Sequence, residues 1–315
     1  MANAIHFLFL LITLNLVRDL DSRPSNGKSY DSRPKVSFTF DDGSTRDMPN
    51  YTLEEWNEMI LTNLRKHQAK AVFFANVGPL QNEKGKYVLS SWDKAGHKIA
   101  NHTYTHPRFS DPKTTLEMFK TELLRNDSVI RSYPNFYQYF RFPYLKEGET
   151  KEKVEGFRAF LKEKGYKNGH VTIDASDWYI ASRLVERLKE NPQTDVSAFR
   201  DFYIEHMFDR AVFYDGLADQ LTGRKINHTI LLHHNLASAL FLDDLIAHFK
   251  DKGWEIIDAE EAFKDPIFNE VPMVVPAGES LIWALAKQSG KYDKDLRYPA
   301  ENGDYLKAKM DSLGL

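Results

Sequence analysis

The stretch Val36-Ser-Phe-Thr-Phe-Asp-Asp-Gly43 decides the fold. Val36 to Phe40 is a short run of β-prone residues, and Asp41-Asp42-Gly43 stops it in a turn. Val36, Phe38 and Phe40 alternate with only the small residues Ser37 and Thr39, and with no charge before Asp41 the run is read as a strand inside a covered parallel sheet. The charged end is the oddity. Two carboxylates closing such a strand are costly unless a cation or hydrogen-bond donors compensate. On an extended backbone adjacent side chains point roughly opposite ways, so the pair is expected to divide its tasks. One carboxylate would sit on a metal and the other beside it, holding a water.

The same unit repeats downstream. Thr52 to His67 carries a helical stripe at Leu53, Trp56, Ile60, Leu61 and Leu64. Ala71 to Val77 predicts a strand, Leu89 to Ala95 a short helix, and His97 to Asn101 a strand ending at His102. A helix over Thr114 to Ser132 leads to a strand over Tyr139 to Phe142, and a helix over Glu149 to Lys164 to a strand over Lys167 to Ile173. Helical stretches near Ser182 to Glu190 and Asp195 to Leu221 precede the buried run Thr229 to Leu232, which ends at His233. Leu240 to Lys252 and Trp254 to Ile257 close the series. Apolar strands alternating with helices imply an α/β fold with a mostly parallel sheet, and this many units imply a closed or nearly closed barrel. Asp41, Asp42, His102, His106, Arg141, Asp177 and His233 fall at or just after the C-terminal ends of the predicted strands, where a barrel gathers its site. An open doubly wound sheet would also bind ligands at that edge, but normally at one crevice.

Among the 315 residues, 42 basic and 45 acidic side chains leave a formal charge of -3, with no basic block to follow a phosphate backbone. Nucleic acid is therefore not an expected partner. A hydrophobic share of 42% supports a sizeable core and argues against disorder. Aromatic residues, at 13%, can fill that core and also line a cleft where sugars stack. The helical span after Asp177 is rich in them, from Phe199 to Tyr214, and reads as helix-packing core or as a rim beside the cleft. There is no cysteine, so any metal must be held by His, Asp or Glu.

Ala4 to Val17 has the length of a secretory signal core and is too short and interrupted to span a bilayer. Residues 1–34 are read as this signal-like segment followed by a polar tether, with Asp-Ser-Arg-Pro at both tether ends. A secreted, periplasmic or cell-envelope location is expected, with no stable membrane span once the signal is removed. Residues 35–266 form the predicted barrel domain. Residues 267–315 are too few for an independent domain and are read as an extension packed on the barrel, reaching over the cleft through Arg297, Tyr298 or Glu301.

His102-Thr-Tyr-Thr-His106 sets two imidazoles four residues apart. On a helix they would share a face, and a loop could also join them, so a metal site and a solvated surface pair both fit. With a carboxylate from Asp41-Asp42, the set suits zinc, and it also suits iron or cobalt.

From about Lys35 to about Pro266 these segments resemble the NodB-like polysaccharide deacetylases, the carbohydrate esterase family of metal-dependent chitin and peptidoglycan deacetylases. The resemblance rests on Thr39-Phe-Asp-Asp-Gly43, His102 to His106, Arg141-Phe-Pro-Tyr144, Asp177-Trp178 and Leu231-Leu-His233, in the family's order. It implies an irregular (β/α)7-type barrel. It also implies Asp41 as catalytic base and Asp42, His102 and His106 as ligands of one divalent metal, with zinc first and cobalt or another divalent transition metal as alternatives. Arg141 would orient the base, Tyr144 would lend a backbone N–H to the oxyanion, and Asp177 would engage the arginine. Trp178 and Leu231 would wall the acetyl pocket, and His233 would be the general acid.

The implied activity is hydrolysis of N-acetyl groups on a glucosamine-containing glycan, a peptidoglycan or chitin-like oligomer, with release of acetate. Amidase or O-acetyl esterase activity is the alternative within hydrolases, and a non-catalytic glycan-binding envelope protein is the alternative outside them. Two departures stand out. Leu145 follows the tyrosine where glycine is frequent, and His234-Asn235 stands where an aspartate commonly follows the last histidine. The second is expected to alter the tuning of His233, because an acidic neighbour raises an imidazole pKa and a histidine does not.

Overall fold

A computed structural model describes residues 33–294, 296 and 303–315. The apolar run Ala4 to Val17, the tether after it, and Arg297, Tyr298 and Glu301 lie outside the described residues. In chain order the strands are β1 (Lys35–Asp42), β2 (Val72–Ala75), β3 (Lys98–Asn101), β4 (Phe136–Phe140), β5 (Lys146–Gly148), β6 (Lys167–Asn168), β7 (Asn227–His233), β8 (Glu255–Ile256) and β9 (Ala277–Gly278). The helices are α1 (Leu53–Lys66), α2 (Glu83–Lys94), α3 (Leu116–Ile130), α4 (Lys151–Glu163), α5 (Asp177–Glu190), α6 (Ser197–Thr222), α7 (Leu236–Asp251), α8 (Ala259–Ala262), α9 (Leu281–Ser289) and α10 (Asp304–Ser312).

The main sheet is parallel and runs β6-β4-β3-β2-β1-β7, with β8 paired to the first residues of β1. Strand β1 is buried from Val36 to Asp41, as a strand covered on both faces must be. Its register aligns Asp41 with His233 of β7 and Asp42 with Ala75 of β2, and Ala75 pairs in turn with Asn101 of β3, the residue before His102, which brings the polar ends of three chain segments to one level. Closure is irregular. Lys167 and Asn168 pair with β4, and the same segment then crosses to β7, where Ile173 bridges Ile230. The strand expected over Lys167 to Ile173 is thus a two-residue strand and an isolated bridge, because the segment leaves one side of the sheet to close against the other. The curled parallel sheet with its helices is the expected irregular barrel.

Local chemistry fixes the elements that carry the site. Thr52 caps α1 in a capping box: its side chain accepts from Glu55 N, and Glu55 Oε2 accepts from Thr52 N at 2.8 Å. Trp56, Ile60 and Leu64 then pack inward. Helix α2 starts at Glu83, well before the predicted Leu89, because Asn82 caps it through Gly85 N. Helix α5 starts at Asp177 and not near Ser182, so Asp177 and Trp178 form its first turn. From the C-terminal segment, Leu281, Ile282, Ala286, Leu306 and Met310 belong to the main buried cluster, and β9 pairs antiparallel with β5. The aromatics of α6 are largely core: Phe199, Phe202, Tyr203 and Tyr214 are buried. No helix among the described residues is long and apolar enough to cross a membrane.

Candidate active site

Asp41 is the last buried residue of β1, and Arg141 reaches it from the end of β4. Arg141 Nη1 donates to Asp41 Oδ1 at 2.6 Å and to Thr39 Oγ1 at 2.9 Å, while Nε donates to Gly169 O at 2.8 Å. Its guanidinium also lies 3.9 Å over the Phe74 ring. A buried charge so surrounded cannot swing away, and removing one partner of such a pair typically costs about 3–5 kcal/mol. Burial pushes the Asp41 carboxyl up to about 6, against the pull of Arg141 and of His233. That value suits a proton acceptor working near neutral pH.

Asp42 departs from the extended geometry that its place in the sequence suggests. Its φ is 76°, which turns the backbone so that Asp42 and Asp41 line the same cavity instead of facing apart. His102 and His106 join them from a loop and not from a helix. Thr103 and His106 sit at φ 64° and 60°, and the loop is tied by Tyr104 N to Glu122 Oε2 at 3.0 Å and His106 N to Thr103 Oγ1 at 3.1 Å. Asp42 Oδ1 lies 3.2 Å from His106 Nε2 and 3.6 Å from His102 Nε2, and candidate ligand atoms of the three residues fall within 4.8 Å of one another.

The protonation pattern makes a cation fit there. His102 Nδ1 meets the Arg141 carbonyl at 2.9 Å, so Nδ1 carries the hydrogen and Nε2 presents a lone pair towards Asp42. Asp42 Oδ1 is buried and has no hydrogen-bond partner. Burial holds both imidazoles below their ordinary pKa, His102 far below, which keeps them neutral. Lone pairs converging without a shared proton repel unless a positive ion sits among them. His102 is buried, so the surface-pair alternative does not hold for it.

The opposite wall is built on α5 and β7. Asp177 Oδ1 meets His233 Nδ1 at 2.6 Å, and Asp177 Oδ2 accepts from His233 N at 2.8 Å and Asn235 Nδ2 at 2.9 Å. The aspartate therefore engages the histidine and not Arg141. The reason is placement: as the first residue of α5, Asp177 faces the end of β7, while the bonds of Arg141 go to Asp41, Thr39 and Gly169. Burial works against charge on His233, but Asp177, with Asp42 and Asp41 nearby, raises its pKa to about 10.

His234 does not tune this group from the cavity. It points into the core 4.3 Å from Trp56, accepts the Ser44 N–H on Nδ1 at 3.2 Å, and meets Asn57 Oδ1 through Nε2 at 3.0 Å. With His234 N donating to Asp41 O at 3.1 Å, it pins the Asp41–Ser44 turn from beneath. Asn235, predicted only as a departure, caps α7 and also donates to Asp177.

Tyr144 sits at φ 58°, lines the cavity, and its N–H makes no hydrogen bond within the described residues. Leu145, Val171 and Leu231 form a small buried apolar cluster, and Leu145, Leu231, Trp178, Asp174 and Arg108 line the same cavity of about 400 Å³. That volume suits a sugar-sized ligand. All ten residues expected at the site either line this cavity or touch a group that does. Sequence reasoning missed Thr39, Gly169, Asn235 and Arg108. Thr39 was visible within the first motif, but Gly169 contributes only a carbonyl and leaves no signal in residue type.

A parallel barrel whose strand ends gather two aspartates, a buried arginine and three histidines around a metal-type ligand set defines a hydrolase-like class of site. Residues 28–168 match the family model described as polysaccharide deacetylase. A peptidoglycan-N-acetylglucosamine deacetylase of Bacillus cereus is 26% identical over 148 residues, covering 47% of this chain and 47% of that protein. A chitooligosaccharide deacetylase of Rhizobium leguminosarum bv. phaseoli is 37% identical over 79 residues, covering 25% of this chain and 31% of that protein. The matches thus span about half or less of these relatives' lengths. Among solved structures, a mutant CE4 family pseudoenzyme with restored enzymatic activity superposes with TM-score 0.51 at 18% identity, covering 74% of this chain and 68% of the other. A Bacillus cereus polysaccharide deacetylase superposes with TM-score 0.50 at 21% identity, covering 72% and 92%. These likenesses agree in fold. Residues 28–168 are thus similar to the polysaccharide deacetylases.

Proposed function

We propose that the protein hydrolyses N-acetyl groups on a glucosamine-containing glycan, peptidoglycan or a chitin-like oligomer, and that it does so with a divalent metal, zinc first. The observation that carries this reading is the convergence of Asp42, His102 and His106 within 4.8 Å beside a second, buried carboxylate. Asp42, His102 and His106 would hold the ion, which when bound supplies Lewis acidity and lowers the pKa of water. The remaining work falls to side chains and backbone. Asp41, held by Arg141, takes a proton from the attacking water as the new C–O bond forms. The free N–H of Tyr144 donates to the oxygen that gains charge, a contribution worth roughly 3 kcal/mol for one such donor. His233, kept protonated by Asp177, gives its proton to nitrogen as the C–N bond breaks, and acetate and amine leave. Trp178 and Leu231 bound the acyl group. Export to the cell envelope belongs to the same proposal and rests on the run Ala4 to Val17. So do the limits of the catalytic domain at 35–266 and a packed extension at 267–315, supported by the buried Leu281 and Met310.

The test is acetate release from N-acetylglucosamine oligomers, peptidoglycan and acetylated xylan, with and without zinc or cobalt. Release from the first two, abolished by chelator, is expected; xylan alone would move the reading to an esterase, and no release from any would end it. Asp41→Asn and His233→Ala are each expected to keep the metal and lose roughly 100-fold in kcat. Loss of metal from either, at unchanged activity per metal, would overturn the roles.

A further inference from the structure

We propose that the C-terminal helix sets acyl-chain selectivity by bracing Trp178, the cavity wall, through Tyr179. This rests on the deacetylase reading for its substrate but on independent geometry for its mechanics. Helix α5 has two duties. Its first residues, Asp177 and Trp178, face the site, while Tyr179, Arg183 and Arg187 follow at four-residue intervals and so share another face. Helix α10 docks on that face. Arg183 pairs with Asp311 at 2.8 Å, Arg187 Nη2 donates to Gly314 O at 2.8 Å, and Arg183 also donates to Leu315 O. Leu306 and Met310 are fully buried beneath, and Lys309 lies 5.3 Å over Phe202 of α6.

Gly303 stands immediately before the first residue of the helix, and the contact there is too close for any side chain. A β-carbon on Gly303 would lie 2.5 Å from Tyr179 Cδ2 and 3.3 Å from Trp178 Cη2. The Tyr179 ring in turn meets the indole edge-on, with centroids 5.6 Å apart at 87°. Trp178 is 37% exposed and lines the cavity, so a shift at the Gly303 contact is passed to the indole that bounds it. Substituting Gly303 presses the indole inward and narrows the space for the acyl group. One methylene in an apolar pocket is worth about tenfold or more in discrimination.

The experiment compares wild type, Gly303→Ala and Gly303→Ala with Tyr179→Leu, with thermal unfolding and circular dichroism to confirm folding. Two readouts are taken. Trp178 emission and its quenching by acrylamide are isolated by difference against Trp178→Phe, and kcat/KM is measured on N-acetyl and N-propionyl glucosamine oligomers. Gly303→Ala is expected to alter quenching of Trp178 and to lower the propionyl-to-acetyl ratio about tenfold, and the added Tyr179→Leu is expected to restore both. A folded Gly303→Ala with unchanged Trp178 emission, or with an unchanged acyl ratio in an active enzyme, overturns the brace. If wild type releases no acyl group at all, the deacetylase reading fails, and the brace is judged on Trp178 emission and its rescue.

Discussion

At the scale of single residues, the site separates two carboxylates by what surrounds each. Asp41 is locked to Arg141 and lifted to about 6 by burial, whereas Asp177 serves His233. This division yields a prediction. Asp177→Asn removes the charge that raises His233 but leaves the Arg141–Asp41 contact at 2.6 Å untouched. The imidazole pKa is expected to fall from about 10 towards its ordinary value, followed by NMR titration, and the alkaline limb of kcat should move to lower pH with it. An unmoved imidazole together with a disturbed Asp41 would return Asp177 to the arginine. The strands and the side chains that meet at the cavity were legible here because residue type carries them: β-prone runs, paired carboxylates, histidines at strand ends. Backbone turns were not. Asp42 at φ 76° and Leu145 at φ 54° occupy the left-handed region without being glycine, and nothing in their identity announces it. Leu145 also explains its own oddity: glycine suits that φ, but leucine adds a side chain to the Val171–Leu231 wall.

At the scale of elements, the cavity is made by loops leaving a rigid parallel sheet, and left-handed residues cluster there: Asp42, Thr103, His106, Tyr144 and Leu145. Strain of this kind persists where the surroundings over-determine it. The segment that closes the barrel shows how. Gly169 N donates to Phe140 O at 2.7 Å, its carbonyl takes Arg141 Nε, and a β-carbon on it would come within 2.4 Å of the Phe74 ring. Phe74 is the ring beneath the Arg141 guanidinium. Gly169→Ala is therefore expected to cost about 1–3 kcal/mol in urea unfolding, the usual penalty for overpacking. It should also lower kcat more than an equally destabilising substitution on α4, because the displaced ring carries Arg141 with it. Equal activity losses would show that closure and catalysis are uncoupled. This coupling was hidden in the sequence for a plain reason: the two-residue strand at Lys167 and Asn168 is too short to have a period, and a carbonyl has no residue type.

At the scale of the whole molecule, two histidines built neutral into the core tie stability to pH. His97 accepts the Ala71 N–H on Nδ1 at 3.1 Å next to Trp92, and His234 accepts the Ser44 N–H on Nδ1 while Nε2 faces Asn57. In each, the nitrogen that would have to gain a proton is already an acceptor, and burial lowers both pKa values from 6.5 to about 3. Between these values the unfolded chain binds a proton at each site and the folded chain does not, so stability rises with pH across the window and falls on acidification from 6.5 towards 3. Each histidine contributes a slope of up to about 1.4 kcal/mol per pH unit. Substituting either ring also disturbs packing, so the informative quantity is the slope and not the absolute stability. Urea unfolding of wild type, His97→Asn and His234→Asn between pH 7 and pH 4 is expected to give a shallower dependence in each variant, by roughly one proton's worth. Identical slopes in all three proteins would mean that these imidazoles charge in the folded state, and that the pin beneath the Asp41–Ser44 turn is not held by the neutral ring.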